Sequence, residues 1–500
     1  MSQERHQLGV GHRLKQPPSK AMGAAMNSEL RYAAHIAQGL SYADIAHVIM
    51  LTEQYIIPRP TATLLLTALL ELHETNFAEW TSDLTEGDLY DHRDAWLRQR
   101  LGTTSGWLHT ARARREAINL GWLIGLKGGL LSLQDSLVEL LDSTTRLCSR
   151  HQDTLMPDFT YLQHAHPTTL GHYLLGFVYP FERDTQRLAR LLPDLDACPA
   201  GSVSTNGTRL PVNRERMREL LGFQTLIPHN RDAMWQTDLP IALMSVLVSI
   251  QTTIDRLAEE LLIWSTTEFG FVELSDAHCR TSVIMPQKKN PYALAHLRGR
   301  ARSMIGQLVT VITTNQTPTG QVDNRTATYE ILPQALQETQ ASVLLLREIL
   351  DQSTFHTLRL AAMASEGAGW ATEVAEFLIE SEQVDARSAH SLVGRLTANL
   401  PHSPSCDTLV QRLRHDFEST FGRPCDAPLT ALNALFDPLQ IVTARTTPGS
   451  CGHQPMVNML TELGDSIEAH KTRCRRPNAV FNLHLLDLAR QLASHSSPSS

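Results

Sequence analysis

The feature that most constrains this chain is a long apolar stripe at helical spacing. Leu247, Ile250, Ile254, Leu257, Leu261 and Trp264 recur at steps of three and four. Pro240 precedes the run and Gly270 follows it, so the pattern predicts one helix of nearly thirty residues, roughly 40 Å long. A second stripe carries Leu130, Leu133, Leu137, Leu140 and Leu147. A third carries Leu294, Leu297, Ala301, Met304, Leu308 and Val311, and a fourth follows Pro333 with Leu336, Val343, Leu346 and Leu350. Helices this long, with stripes repeating at nearly seven residues, pack at shallow angles into a bundle. Gly121, Gly125 and Gly129 put a small-residue groove on one of them, which reads as close helix packing. Strand patterns are scarce. The expected fold is all-α, a long central helical bundle with smaller helical lobes at either end.

The 500 residues are too many for one small core. The expected divisions are an arm over 1–27, possibly disordered, an N-terminal helical domain over 28–108, the bundle over 109–352, a C-terminal helical domain over 353–490, and a disordered tail over 491–500. A net charge of −8 argues against a nucleic-acid partner. The longest uncharged apolar run, "IALMSVLVSI", is half a bilayer span, so no membrane helix is expected. The N-terminus carries no apolar signal segment. Seven scattered cysteines without a C-x-x-C pair point to reduced thiols, a cytoplasmic setting and no zinc framework. The 22 histidines form no H-E-x-x-H, and neither metal nor cofactor is expected.

Between the first and third stripes lies "RTSVIMPQKKNPYALAHLRG", polar and turn-prone. A loop held between two rigid helices can move while its ends stay fixed, which suits a lid. Lys288 and Asn290 can bind carboxylate oxygens by charge and by amide donor. Ser282 can serve as nucleophile or base only where cations and donors help it lose a proton. By composition alone the stretch also reads as a solvated basic turn. It is not a phosphate loop, since no G-x-x-x-x-G-K-[ST] is present.

"SVIMPQKKNP" resembles the signature loop of the argininosuccinate lyase branch of the aspartase/fumarase superfamily, usually written G-S-S-x-M-P-x-K-x-N. "TLMPDFTYLQHAHPTTLGHYLLG" is similar to that family's second signature region, and "GWLHTARARREA" to the region usually read L-H-T-G-R-S-R-N-D. "EGDLYDHRDAWLRQRLG" and "ATEVAEFLIESEQVDARSAHSLVG" fit flanking segments, and the likeness runs collinearly over roughly residues 28 to 400. The resemblance implies an all-α homotetramer with a twenty-helix bundle at its centre, each active site gathering regions from three subunits. It implies β-elimination from a succinyl-type adduct with release of fumarate. Carried over by position, Ser282 is the base, and Lys288 and Asn290 bind carboxylates, with Gln287 beside them. Thr160 and Gln163 come from the second region, and His109, Thr110 and Arg114 from the first. Arg231 and Asp232 fit a supporting Arg-Asp pair.

The departures fall at the other half of the substrate. Tyr161 stands where T-H-L-Q has its His, and Ala295 where N-P-D-x-x-E has the partner Glu, with Tyr292 for the Asp. Tyr90 replaces a further His, and Ala113 and Arg115 replace a substrate-binding Ser and Asn. "TPTGQVDNRTATYE" lacks the Tyr, Gln and Lys expected for an arginine end. The carboxylate clamp stays while the leaving-group machinery is rebuilt. The expectation is a lyase acting on an N-substituted aspartate other than argininosuccinate, in specialised nitrogen metabolism. Genuine argininosuccinate cleavage, cycloisomerisation of a tricarboxylate and a non-catalytic role are the alternatives. Tyr161 is either a proton donor to the leaving nitrogen, which a phenol of pKa near 10 permits, or a filler of the vacated His–Glu space.

Overall fold

A computed structural model describes residues 19–75, 88–317, 325–398, 404–474 and 483–494. The expectations for residues 1–18, 318–324 and 495–500 lie outside them. The first helices are α1 (Lys20–Asn27), α2 (Ala33–Glu53), α3 (Arg59–Glu74) and α4 (Leu89–Leu101). Five long helices follow: α5 (Arg114–Arg150), α6 (Leu170–Leu195), α9 (Asp238–Trp264), α10 (Tyr292–Thr314) and α11 (Thr326–Gln352). The short α7 (Arg214–Leu221) and α8 (Asn230–Trp235) interrupt them. Helices α12 to α17 lie between residues 357 and 443, and α18 (His453–Cys474) and α19 (Leu483–Ser494) close the chain.

All six residues of the first apolar stripe are essentially inaccessible in α9. Each contributes about 1.5–3 kcal/mol by leaving water. By length and composition α9 alone among the described helices could cross a membrane, yet that stripe is spent on the bundle core. Two prolines sit inside the helices they were expected to precede. Pro240 lies in the first turn of α9, where its missing N–H would have no partner anyway. Pro333 lies deeper in α11, which begins at Thr326. Its lost hydrogen bond is offset by the burial of Tyr329, Leu332, Pro333 and Leu336 around it.

The glycine groove does what its spacing suggests. A Cβ on Gly121 would lie 2.8 Å from Leu40 N, and one on Gly125 2.5 Å from His35 O. The facing Gly39 is tighter still, 2.3 Å from Gly121 O, so α2 and α5 cross backbone to backbone. The segment read as one C-terminal domain is shared among three cores. Trp370, Leu392, Phe417 and Ile441 form a lobe of their own. Met456, Leu463 and Ile467 of α18 join the bundle, and Leu485 and Ala489 of α19 join the N-terminal lobe. Residues 20–27 of the supposed arm and 491–494 of the supposed tail are helical.

Four two-stranded ladders, which periodicity did not show, join the helices among the described residues. They are the antiparallel hairpin β1 (Leu155–Thr160) and β2 (Gln163–Thr169), the parallel β3 (Ala197–Cys198) and β4 (Thr225–Leu226), and the antiparallel pairs β5 (Val272–Glu273) with β8 (Thr354–Phe355) and β6 (Arg280–Thr281) with β7 (Lys289–Asn290). The β1–β2 hairpin, the β5–β8 ladder and the β6–β7 ladder gather at one end of the bundle. There Tyr173 meets Trp264, His151 meets Phe355 and Phe159 meets Phe269, with ring centres 5.1–5.7 Å apart. At the other end the Asn119 side chain donates to Ala233 O, and buried Arg325 donates to Met234 O and Gln236 O.

Candidate active site

The signature loop is closed by its ladder, with Arg280 opposite Asn290 and Thr281 opposite Lys289. The two adjacent lysines divide their work. Lys289 reaches Glu273 at 3.1 Å and Asp276 at 2.7 Å, and the hydrogen bond to Asp276 raises its pKa. It pins the loop's root. Lys288 is exposed and pairs with no acid among the described residues, so its charge is available. The Ser282 hydroxyl oxygen accepts from Ile284 N at 3.3 Å and Met285 N at 3.0 Å. Two donors aimed at that oxygen favour its deprotonated form. Asn290 is half-buried at the loop's end, and Gln287 is exposed near its tip. Val283 and Ile284 stand out in solvent.

Thr160 and Gln163 pair across the other hairpin, leaving Tyr161 and Leu162 as its two-residue tip. Both tip residues have positive φ, 55° and 58°. Two successive left-handed residues give the turn whose twist fits a hairpin, at a cost of about 1–2 kcal/mol each for side chains other than glycine. Tyr161 is 100% exposed. Within its own chain it therefore fills no vacated space.

The first region is a loop fastened residue by residue. His109 Nδ1 meets the Tyr90 hydroxyl at 2.8 Å, and its Nε2 meets Asp94 Oδ1 at 2.8 Å. Both ring nitrogens of His109 are thus engaged by its own lobe, and what it gives the site is position rather than a free donor. His47 Nε2 lies 2.9 Å from Thr110 O. Burial pulls the pKa of His47 down to about 3, so the ring is neutral and donates from that nitrogen. Ala111 sits at φ 51°, where glycine is at ease. Arg112 donates to Asp44 at 2.6 Å, and Arg93 grips the other oxygen of Asp44 at 2.6 Å. Burial pushes the Asp44 carboxyl up, but the two guanidinium groups outweigh it and hold it below the usual range. Arg114, a third exposed, donates to Asp91 at 2.9 Å. Arg115 forks onto Glu29 at 3.1 and 3.3 Å. Buried Glu116 accepts from Gly201 N and Val203 N.

Arg231 and Asp232 do not pair with each other. Neighbours on a helix point about 100° apart. Arg231 lies over the Trp235 ring at 5.2 Å, while His229 caps the Asp232 N–H. Sequence reading also missed Asp44, Arg93, Arg112 and Glu116. Charge alternation in "ARARRE" was a trace of Arg112 and Glu116, and Asp44 and Arg93 left none. Among the described residues no group of three or more His, Cys, Asp or Glu is arranged to hold a metal.

The regions divide between the two ends of the bundle. Ser282, Lys288, Asn290, Thr160, Tyr161 and Gln163 lie at one end. His109, Thr110, Arg114, Arg231 and Asp232 lie at the other. The 37 residues of α5 span roughly 55 Å between them.

Residues 89–306 match a family described as lyase. A protein of Methanoculleus marisnigri named argininosuccinate lyase is 32% identical over 466 residues, 92% of this chain and 94% of that protein. The chain belongs to the fumarase/aspartase superfamily of lyases. A second protein named argininosuccinate lyase, from Methanocorpusculum labreanum, is 35% identical to this lyase over 370 residues, 74% of this chain and 75% of that protein. The solved structure of EDDS lyase in complex with formate superimposes with a TM-score of 0.85 at 23% identity, covering 92% of each chain. A variant of EDDS lyase with bound fumarate does so with a TM-score of 0.82 at 22% identity, covering 96% of this chain and 97% of that one. At those identities the likeness shows the fold of this lyase alone.

Proposed function

We propose that this lyase breaks the C–N bond of an N-substituted aspartate, releasing fumarate and an amine. The observation that carries the reading is the Ser282 oxygen held by two backbone donors on the loop that also bears an unneutralised Lys288. Ser282 takes the proton next to a carboxylate. Lys288, Asn290 and Thr160 hold the carboxylates, and fixed donors stabilise the dianionic aci-carboxylate. The C–N bond then breaks, and Tyr161 hands its proton to the departing nitrogen. The fumarate seen in the EDDS lyase variant supports fumarate as the product.

The site is composite, in a homotetramer. Since Arg114 begins α5, roughly 55 Å long, at the end of the bundle away from the signature loop, only a second chain can bring a first region to that loop. Two further observations support assembly. Tyr161, Leu162, Val283 and Ile284 are exposed around the site. Ile305, Val309 and Ile312 form an exposed apolar row on α10.

The substrate is not argininosuccinate on this reading, because Tyr161, Ala295, Ala113 and Arg115 replace the residues that the resemblance expects. The names of the relatives favour the second reading, argininosuccinate cleavage. Incubating the intact protein with argininosuccinate, adenylosuccinate and simple N-substituted aspartates while following fumarate absorbance separates them. Efficient release from argininosuccinate alone overturns the first reading. No fumarate from any substrate, with ligand binding intact, means a non-catalytic protein.

A further inference from the structure

Helices α6 and α18 both pack on α5, and the cleft between them carries two cations that the reaction above does not use. Arg190 stands on the α6 wall and Arg473 on the α18 wall. Both are exposed, and neither pairs with an acid among the described residues. Arg190 donates to Gln186 Oε1 at 3.4 Å, an uncharged acceptor at the limit of a hydrogen bond.

Helical spacing builds the cleft. Gln186, Ala189 and Arg190 share one face of α6, and Ser466, Ala469, His470 and Arg473 share one face of α18. Ala189 and Ala469 are too small to fill the space between the walls, which leaves a cavity of about 450 Å³.

The acid beneath the cleft is already taken. Glu182 Oε1 accepts from Gln186 Nε2 at 2.6 Å and from Ser466 Oγ at 2.7 Å. It lies 3.6 Å from His470 Nε2, too far for a hydrogen bond. His470 lines the cleft at 3% exposure, and neither of its ring nitrogens has a hydrogen-bond partner among the described residues. Burial pushes its pKa below the usual histidine range, so the ring is neutral and one nitrogen carries an N–H with no acceptor. A buried donor in that state is costly, and an anion in the cleft relieves it. The next cation along α18, Lys471, is paired instead, with Asp142 at 3.2 Å and Glu468 at 2.7 Å. The cleft thus sets two unclaimed guanidinium groups above a buried imidazole donor. Guanidinium forks take carboxylate and phosphate oxygens two at a time.

We propose that the cleft between α6 and α18 binds a small dianion, a dicarboxylate or a phosphate, between Arg190 and Arg473. Gln186 follows Leu170 by 16 residues, so this second site lies roughly 24 Å along α6 from the hairpin that bears Thr160 and Tyr161. It does not depend on the reaction proposed above.

The test is calorimetric titration of the full-length protein at low ionic strength with sodium phosphate and, separately, with succinate. Succinate also fits the proposed carboxylate clamp, so every protein in that arm carries Lys288→Gln. At least one of the two anions binds saturably, with Kd of about 1 mM or tighter. Binding of both supports a general dianion site; binding of one alone supports the proposal and names the source. Arg190→Gln combined with Arg473→Gln weakens binding about 10- to 100-fold, as loss of charge-assisted hydrogen bonds does. Ala469→Glu sets a carboxylate in the cleft from an exposed position and weakens binding at least as much. Arg187→Gln removes an exposed cation of α6 that Asp184 already engages, and shifts Kd less than about 2-fold. No saturable binding of either anion below about 10 mM overturns the proposal. Binding that survives the paired arginine changes or Ala469→Glu overturns it, as does an equal loss with Arg187→Gln.

Discussion

Mixing two inactive chains tests the division of the site between the ends of the bundle. Take Ser282→Ala chains and Arg114→Ala chains, each purified alone, then unfold and refold them together in equal amounts. Ser282 sits at one end of the bundle and Arg114 at the other, where it begins α5, a helix roughly 55 Å long. On the composite-site reading each site draws its Ser282 and its Arg114 from different chains. With random assembly, a site takes an intact Ser282 half the time and an intact Arg114 half the time, so about a quarter of sites in a symmetric oligomer are whole. Loss of a general base costs roughly 10²–10⁴ in rate. If Arg114 costs as much, the mixture turns over about 25- to 2,500-fold faster than either parent. The assay is initial fumarate release per protomer, with each parent refolded alone as control. A mixture no faster than the mean of its parents, with tetramers confirmed by sedimentation, refutes the composite site. A single chain that is fully active as a monomer refutes it more simply.

Asp44→Ala strands two buried arginines and should cost about 3–5 kcal/mol of stability in a denaturant titration. Because the folded-state pKa of Asp44 is depressed, its contribution is full above the ordinary aspartate range and fades as pH falls through the folded value. Acid titration of wild type against Asp44→Asn should show that difference shrinking on the acid side; a constant difference would refute the assignment. Tyr161→Phe should lower kcat by roughly 10²–10⁴ with little change in KM, and the loss should vanish for a weakly basic leaving group. Gly39→Ala drives a methyl into the Gly121 carbonyl and should cost at least about 1–3 kcal/mol, read as a lower melting temperature. With argininosuccinate, kcat/KM should fall at least about 10³-fold below the usual 10⁴–10⁸ M⁻¹s⁻¹.

The long helices were readable because burial repeats with every turn. Leu247 to Trp264 carry that signal six times over, and the structure buries all six. The β1–β2 hairpin sent no such signal. Pro157 opposes Pro167 and a bulge follows, so neither alternation nor strand propensity survives. The loop's motif was visible, but the different duties of Lys288 and Lys289 were not. Their chemistry is the same, and the acids that claim Lys289 sit on the loop's approach, in no fixed spacing to it. The Asp44–Arg112 bond joins residues 68 apart in the chain and leaves no local pattern at all. The place of Tyr161 in its loop was legible, whereas its left-handed backbone was not, because tyrosine is not a residue that advertises positive φ.

On the composite-site reading proposed above, the length of α5 would set the spacing between neighbouring sites. One residue added in its middle would lengthen it by about 1.5 Å and turn everything beyond by about 100°. Arg114 and the β1–β2 hairpin would then be misaligned together, in two different sites. The same holds for α6, α9, α10 and α11, which run beside it. Their lengths are therefore locked to one another. Replacing a side chain in the loops and helix starts at the end of the bundle, where Tyr161, Ala295 and Tyr292 differ from the pattern they resemble, leaves those lengths unchanged.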